Sequence, residues 1–293
     1  MSMARTFLVI GATGTVGGAT LEALRASGVQ PLAFVRDAAR AAELLGDYAP
    51  VRIGDLADEN SVRAALAGVD AVLLCSAHGP AMREHELAAV RAIATSDVNR
   101  VVKISGSPVC VRANSPASTG RDHFQTEQAL RAIGRDTVTI RPNPFMQNFL
   151  EQTPVAAHGA LPGPDGSPRV SFVDARDVGR VAAAALLAGQ PPEPVLEVTG
   201  PEALTWFEVA GTMSEVLGRP ITHYPTPTDV IRDAMLKMGR PAWLVEHMLE
   251  FAALLRAPKA AEVTDTVERI TGQPVTTLRD FLSDHAAAFS AAA

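Results

Sequence analysis

Short apolar runs rich in β-branched residues recur along the first half of the chain, each followed by an Ala/Leu/Arg-rich stretch of helical length. TFLVIGA (6–12) precedes a predicted helix from about Val16 to Ser27, and PLAFVR (31–36) one across Asp37–Leu45. VRIGDL (51–56) precedes a helix from Glu59 to Ala67, and DAVLLCS (70–76) one across Met82–Thr95. VVKISG (101–106) leads to a helix around His123, and DTVTIRP (136–142) to an irregular Asn/Phe/Met segment. These runs carry few polar positions, which predicts strands buried on both faces in a parallel sheet covered by helices. The alternation itself predicts an α/β fold of the doubly wound, Rossmann type.

After Pro142 the pattern changes. Pro and Gly cluster between Thr153 and Pro168, then SFVDARDVGRVAAAALLAG (171–189) predicts a short strand and an apolar helix that Asp174 or Asp177 would cap. PVLEVTG (194–200) is one more strand, and the remainder is mostly helical. We expect a smaller, mostly helical region over the open edge of the sheet.

Composition narrows the function classes. The 293 residues suffice for one large domain or a large and a small one. With a net charge of −6 and no basic stripe interleaved with aromatics, nucleic acid is not an expected partner. No apolar run reaches the ~18 residues of a membrane span, and MSMARTFLVIGATG lacks a signal-peptide pattern, so a cytoplasmic location is expected. Cys75 and Cys110 have no metal or disulfide spacing and read as buried thiols, and no metal site is expected.

The first strand runs straight into GATGTVGG, which spaces Gly11, Gly14 and Gly17 as G-x-x-G-x-x-G, with Thr13, Thr15 and Val16 between them. The first glycine permits a tight turn, the second a close approach of backbone to pyrophosphate, and the third close helix–strand packing. The helix start that follows presents free N–H groups to phosphate. A strand before and a helix after this loop are the context of a dinucleotide site. At the end of the second strand, 19 residues past Gly17, stands Arg36 rather than an acidic residue. A guanidinium suits the 2′-phosphate of NADP(H), so NADP(H) is expected over NAD(H). Asp37 reads as a helix cap. Asp55 and Leu56 would flank the adenine, although Asp55 also reads as a turn residue. These readings divide the chain into an NAD(P)-binding Rossmann domain (1–144 and 171–200) and a substrate-binding region (145–170 and 201–293).

GATGTVGG, Arg36, GDL at 54–56, VTGPEALT (198–205) and TVERITGQPVTTLRDFLSDHAAAF together resemble the NmrA-like atypical short-chain dehydrogenase/reductases. That branch includes triphenylmethane reductases, quinone reductases and redox-sensing regulators. The resemblance spans essentially the whole chain and implies a Rossmann domain with a small C-terminal substrate region and NADP(H) as cofactor. Most of the wider superfamily uses a Tyr-x-x-x-Lys pair, which this chain lacks. Tyr48 and Tyr224 are followed four residues on by Arg52 and Thr228, and the lysines are only Lys103, Lys237 and Lys259. Where the superfamily places that pair, the resemblance puts His123 and Glu127.

An imidazole near its ordinary pKa can exchange a proton at neutral pH, and Glu127, one helical turn on, would favour the imidazolium if it faced the ring. The plainer alternative is a surface i,i+4 pair. Strand ends supply the remaining candidates, because doubly wound sheets bind ligands beyond their carboxyl edge. These are Ser76, Ala77 and His78 beside the cofactor ribose, Ser105 toward substrate or nicotinamide, and Asn143 near the nicotinamide. Lys103 reads as a snorkelling edge lysine. Phe145, Met146, Phe149 and Trp243, with Trp206, Met248 and Phe251, would form an apolar wall, unless they are plain core. The expected activity is NADPH-dependent hydride transfer to a quinone or a conjugated aromatic, polyketide-like compound, by a monomer or homodimer. A non-catalytic redox sensor and an NAD(P)-dependent isomerase or epimerase are the alternatives.

Overall fold

The structure is a computed structural model that describes residues 5–46, 49–151, 155, 158–190 and 193–289. Tyr48, and residues 153, 154, 156 and 157 of the Pro/Gly-rich stretch, lie outside the described residues. Among the described residues, five strand–helix alternations and a sixth strand appear where the apolar runs place them. They comprise β1 (Phe7–Ile10), α1 (Thr15–Ala26), β2 (Leu32–Val35), α2 (Ala38–Leu45), β3 (Val51–Ile53), α3 (Glu59–Ala65), β4 (Ala71–Leu74) and α4 (Met82–Ala94). There follow β5 (Arg100–Ile104), α5 (Ser118–Ala132), β6 (Asp136–Pro142) and a 3-10 turn over Met146–Phe149.

Beyond that turn come β7 (Ala160–Gly163), α6 (Ala175–Leu187) and β8 (Val195–Val198). Seven strands form one sheet in the order β3-β2-β1-β4-β5-β6-β8, with every pair parallel. The order reverses between β1 and β4, and the crevice above that point is where such sheets hold ligands. Side chains alternate across a strand, so Phe7 and Val9 of β1 join the core under α1 and α6, while Leu8 and Ile10 join the core under α3, α4 and α5. All four are essentially buried, which explains why the strand shows no polar alternation. Helices α1 and α6 meet at small residues: a Cβ on Gly179 would lie 2.6 Å from Ala19 Cβ.

A third apolar cluster gathers Val109, Met146, Phe149, Phe172, Trp206, Met213 and Phe281 beneath the C-terminal region. That region contains α7 (Trp206–Leu217), β9 (Thr222–Pro225), α8 (Thr228–Lys237), α9 (Ala242–Leu254), α10 (Thr266–Thr271) and α11 (Leu278–Asp284). Thr205 and Glu208 close a capping box at the start of α7. Two details depart from the sequence reading. The segment before α6 makes only isolated bridges, at Val170 and Val173, instead of a strand. Strands β7 and β9 form a separate two-stranded sheet, which the Pro/Gly-rich composition of 160–163 conceals. Among the described residues no helix is long and apolar enough to cross a membrane.

Candidate active site

The glycine loop leaves β1 through Gly11, at φ 83°, a conformation that disfavours any residue with a Cβ. An added Cβ there would lie 1.9 Å from the Cys75 carbonyl oxygen, and one on Gly17 would lie 2.0 Å from the Gly11 carbonyl oxygen. The turn is therefore wedged between β4 and the first turn of α1. Gly14 sits at the helix N-cap with no side-chain cap, so the opening N–H groups of α1 are left for an anion. Thr13, Gly14 and Thr15 are exposed there, while the Val16 side chain is buried and can offer only its backbone. This cradle fits a pyrophosphate.

Arg36 is exposed just past β2, and Asp37 caps α2 by accepting from Ala39 N at 2.9 Å and Arg40 N at 3.1 Å. That occupies the acidic side chain next to Arg36 in the sequence. Asp55 Oδ1 accepts from Ala57 N at 3.0 Å, which makes it a turn residue, and Leu56 is partly packed against the core. Ser76 donates to Glu86 Oε1 at 2.7 Å, and Ala77 beside it is exposed.

Beyond the carboxyl ends of β5 and β6 lies a cavity of about 180 Å³. His78, Ser105, His123, Asn143 and Phe145 line it. Asn143 is held rigidly, accepting from Ser107 at 3.0 Å and donating to Ser171 Oγ and the Ala260 carbonyl at 2.8 and 3.0 Å. The cavity also takes residues the sequence did not single out, among them Ser107, Thr119, Asn148 and His247. His247 comes from α9, more than 100 residues beyond α5, with Nδ1 3.2 Å from Thr119 Oγ1 and its ring 4.1 Å from that of His78. No local pattern connects α9 to β5, so sequence periodicity carries no sign of it.

The wall composition needs correction. Met146 and Phe149 point into the third apolar cluster, where Phe149 packs edge-on against Phe172, and neither lines the cavity. Trp243 is 40% exposed and stands outside the lining, with its ring 6.3 Å from His78. Phe251 does line it.

The His123/Glu127 pairing is also corrected. Both side chains are buried, so they are not a surface couple, but the hydrogen-bond partners of Glu127 are Ser105 and Arg141. Ser105 Oγ donates to Glu127 Oε1 at 2.7 Å, and Arg141 clasps the carboxylate through Nε–Oε1 at 3.0 Å and Nη2–Oε2 at 2.5 Å. His123 instead has Lys103 as neighbour, with Nζ 3.3 Å from Nδ1. Burial, then the Lys103 charge, hold the imidazole well below its ordinary 6.5, so it is neutral rather than cationic at neutral pH. Lys103 does not snorkel. It is fully buried on β5 and pairs with the equally buried Glu86 of α4 at 2.8 Å.

Residues 3–282 match the sequence model of the NmrA-like family. An NAD(P)H azoreductase from Xenophilus azovorans is 35% identical over 286 residues, covering 97% of this chain and 99% of that protein. A (4-alkanoyl-5-oxo-2,5-dihydrofuran-3-yl)methyl phosphate reductase from Streptomyces griseus is 34% identical, with 97% and 99% covered. The NADPH-dependent quinone oxidoreductase of Escherichia coli, solved with NADPH, shares the fold at a TM-score of 0.85 and 24% identity, covering 95% of this chain and 99% of its own.

Proposed function

The chain belongs to the NmrA-like family, and from that premise we propose that it reduces quinones and related conjugated aromatic compounds with NADPH. It is an NAD(P)H-dependent oxidoreductase, like the NAD(P)H azoreductase to which it is similar over nearly its whole length. The observation that carries the substrate class is the cavity lining: among the described residues none of its members is Asp, Glu, Lys or Arg, and four are rings, His78, His247, Phe145 and Phe251, besides His123. Such walls favour a flat, neutral, electron-poor ring and offer no counter-ion to a charged substrate.

Gly11, Gly14 and Gly17 would hold the pyrophosphate through the backbone of 13–17, with Arg36 on the 2′-phosphate and Ser76, Ala77 and His78 along the ribose. When bound, the cofactor supplies hydride. The chain then has to position the acceptor face, exclude water and deliver one proton to the oxygen that becomes negative. We assign that donation to His123, a buried neutral imidazole on the cavity wall. Ser105, which lines the same wall while donating to Glu127, fixes the β5 loop against α5 and orients that wall. Residues 145–170 and 201–293 act as the substrate region, with Phe145, Phe251 and His247 as its contribution to the wall.

The test follows NADPH oxidation at its absorbance band with 1,4-benzoquinone, 1,4-naphthoquinone, a neutral azobenzene dye and cyclohexanone. Turnover of the conjugated acceptors and none of cyclohexanone is expected. Tight NADPH binding without turnover of any conjugated acceptor would refute the substrate class.

A further inference from the structure

Behind His123 runs a line of polar groups that the cavity wall does not need for packing. Ser76 Oγ donates to Glu86 Oε1 at 2.7 Å, the same oxygen lies 2.8 Å from Lys103 Nζ, and Lys103 Nζ lies 3.3 Å from His123 Nδ1. Glu86 and Lys103 are fully buried, and removing two charges from water is costly unless they are paired or used. An ammonium group has three donors and no lone pair. The three acceptors around Lys103 are Glu86, the Ile104 carbonyl and His123 Nδ1. Nδ1 is therefore an acceptor, and the proton of the neutral ring sits on Nε2, the nitrogen left for the cavity.

We infer that Lys103 is a positioning residue that locks His123 in the Nε2–H tautomer and backs its proton transfer, as the inner end of a relay Ser76–Glu86–Lys103–His123. The inference rests on the reductase reading for its chemistry, not for the tautomer. A neutral imidazole that gave up its only proton would become an anion. With Lys103 behind it, the Nε2 proton passes to the substrate oxyanion while a Lys103 proton passes to Nδ1, so the ring stays neutral and Lys103 becomes an amine. One N–H breaks and one forms on the ring; the cycle closes when a solvent proton from the cavity reaches Nε2 and the Nδ1 proton returns to Lys103, which restores both the ammonium and the Nε2–H tautomer. Glu86, held by Ser76, stays against Lys103 through this cycle and favours return of the proton to the amine, and its buried Oε2 has no partner among the described residues.

The other groups around this line are compatible with it. The Cys75 thiol is pushed up to about 11 by burial and stays protonated, so it does not draw on Lys103. His78, His247 and Arg141 add to the Lys103 charge in keeping His123 neutral. Glu127 is occupied by Arg141 and Ser105.

The experiment is nitrogen NMR of the full chain labelled at histidine nitrogens, without substrate, alongside steady-state quinone kinetics. His123 should show a protonated Nε2 and an unprotonated Nδ1 throughout pH 6–8. Lys103→Met should mix the tautomers and lower kcat by about 100-fold with KM within about twofold. Glu86→Gln, which keeps shape and serves if Lys103→Met does not fold, should keep the tautomer and lower kcat in the same direction. A protonated Nδ1 in the wild type, or full kcat in either folded variant, would overturn the relay. If the wild type showed the expected tautomer but reduced no conjugated acceptor, the reading of function would fall and the tautomer lock would stand.

Discussion

Arg141 clasps Glu127 with two hydrogen bonds from the neighbouring strand, so the carboxylate one turn beyond His123 is bound to β6 and not to the imidazole. The side chain of Glu127 is fully buried and that of Arg141 is 18% exposed. Removing one partner of a buried pair leaves the other uncompensated, at a cost of roughly 3–5 kcal/mol. Glu127→Ala should therefore lower stability in chemical denaturation by about that amount. Its kcat pH profile should keep the wild-type shape, because the ring never depended on this carboxylate; a displaced profile would restore the pair as a proton device.

Arg36 stands exposed at the end of β2, and the neighbouring Asp37 is committed to capping α2. Fluorescence titration should show NADPH binding tighter than NADH, and Arg36→Ala should weaken NADPH by at least about tenfold, the scale of one charge-assisted bond, while leaving NADH nearly unchanged. Equal affinities in the wild type would sink the preference.

Gly17 tests the cradle. A methyl group there would sit 2.0 Å from the Gly11 carbonyl, and neither backbone segment can yield without opening the turn. Gly17→Ala should abolish cofactor-induced thermal stabilisation and cost about 1–3 kcal/mol in the cofactor-free protein. Gly18→Ala, whose Cβ would find only the Ala12 carbonyl at 3.7 Å, should retain both.

The histidine cluster gives the stability a pH dependence of defined sign. His247 is lowered from 6.5 to about 4 by burial and by His78, so between those values the unfolded chain binds a proton that the folded one refuses. Stability is fully present above about 6.5 and falls as pH drops toward 4, with His78 and His123 shifted in the same direction. His247→Gln should flatten the dependence of the unfolding midpoint over that range; an unchanged slope would contradict the assignment.

The α/β order and the sheet were legible because parallel strands buried on both faces leave unbroken apolar runs, as in β1 and β4. The glycine loop was legible for the same local reason, as its spacing lies within one turn. What escaped was set by contacts between distant segments. Lys103 looks like an edge lysine until α4 brings Glu86 across the sheet, and His247 looks like a helix surface residue until α9 lays it on Thr119. Met146 and Phe149 are apolar beside the site, and only the packing of Phe172 reveals that they belong to the core. A helical period of four residues placed His123 and Glu127 on one helix face, but it could not reveal that Arg141 would claim the glutamate.

Hydride transfer to a conjugated ring in the cavity beside His123 is the central step. Anaerobic single-turnover mixing of the NADPH-loaded protein with 1,4-naphthoquinone tests it most directly, with the NADPH absorbance band and product analysis as readouts. Loss of that band in one exponential phase is expected, with one hydroquinone formed per cofactor, and His123→Ala should slow it by about 100-fold. An undiminished band in the presence of saturating quinone would contradict hydride transfer to the ring.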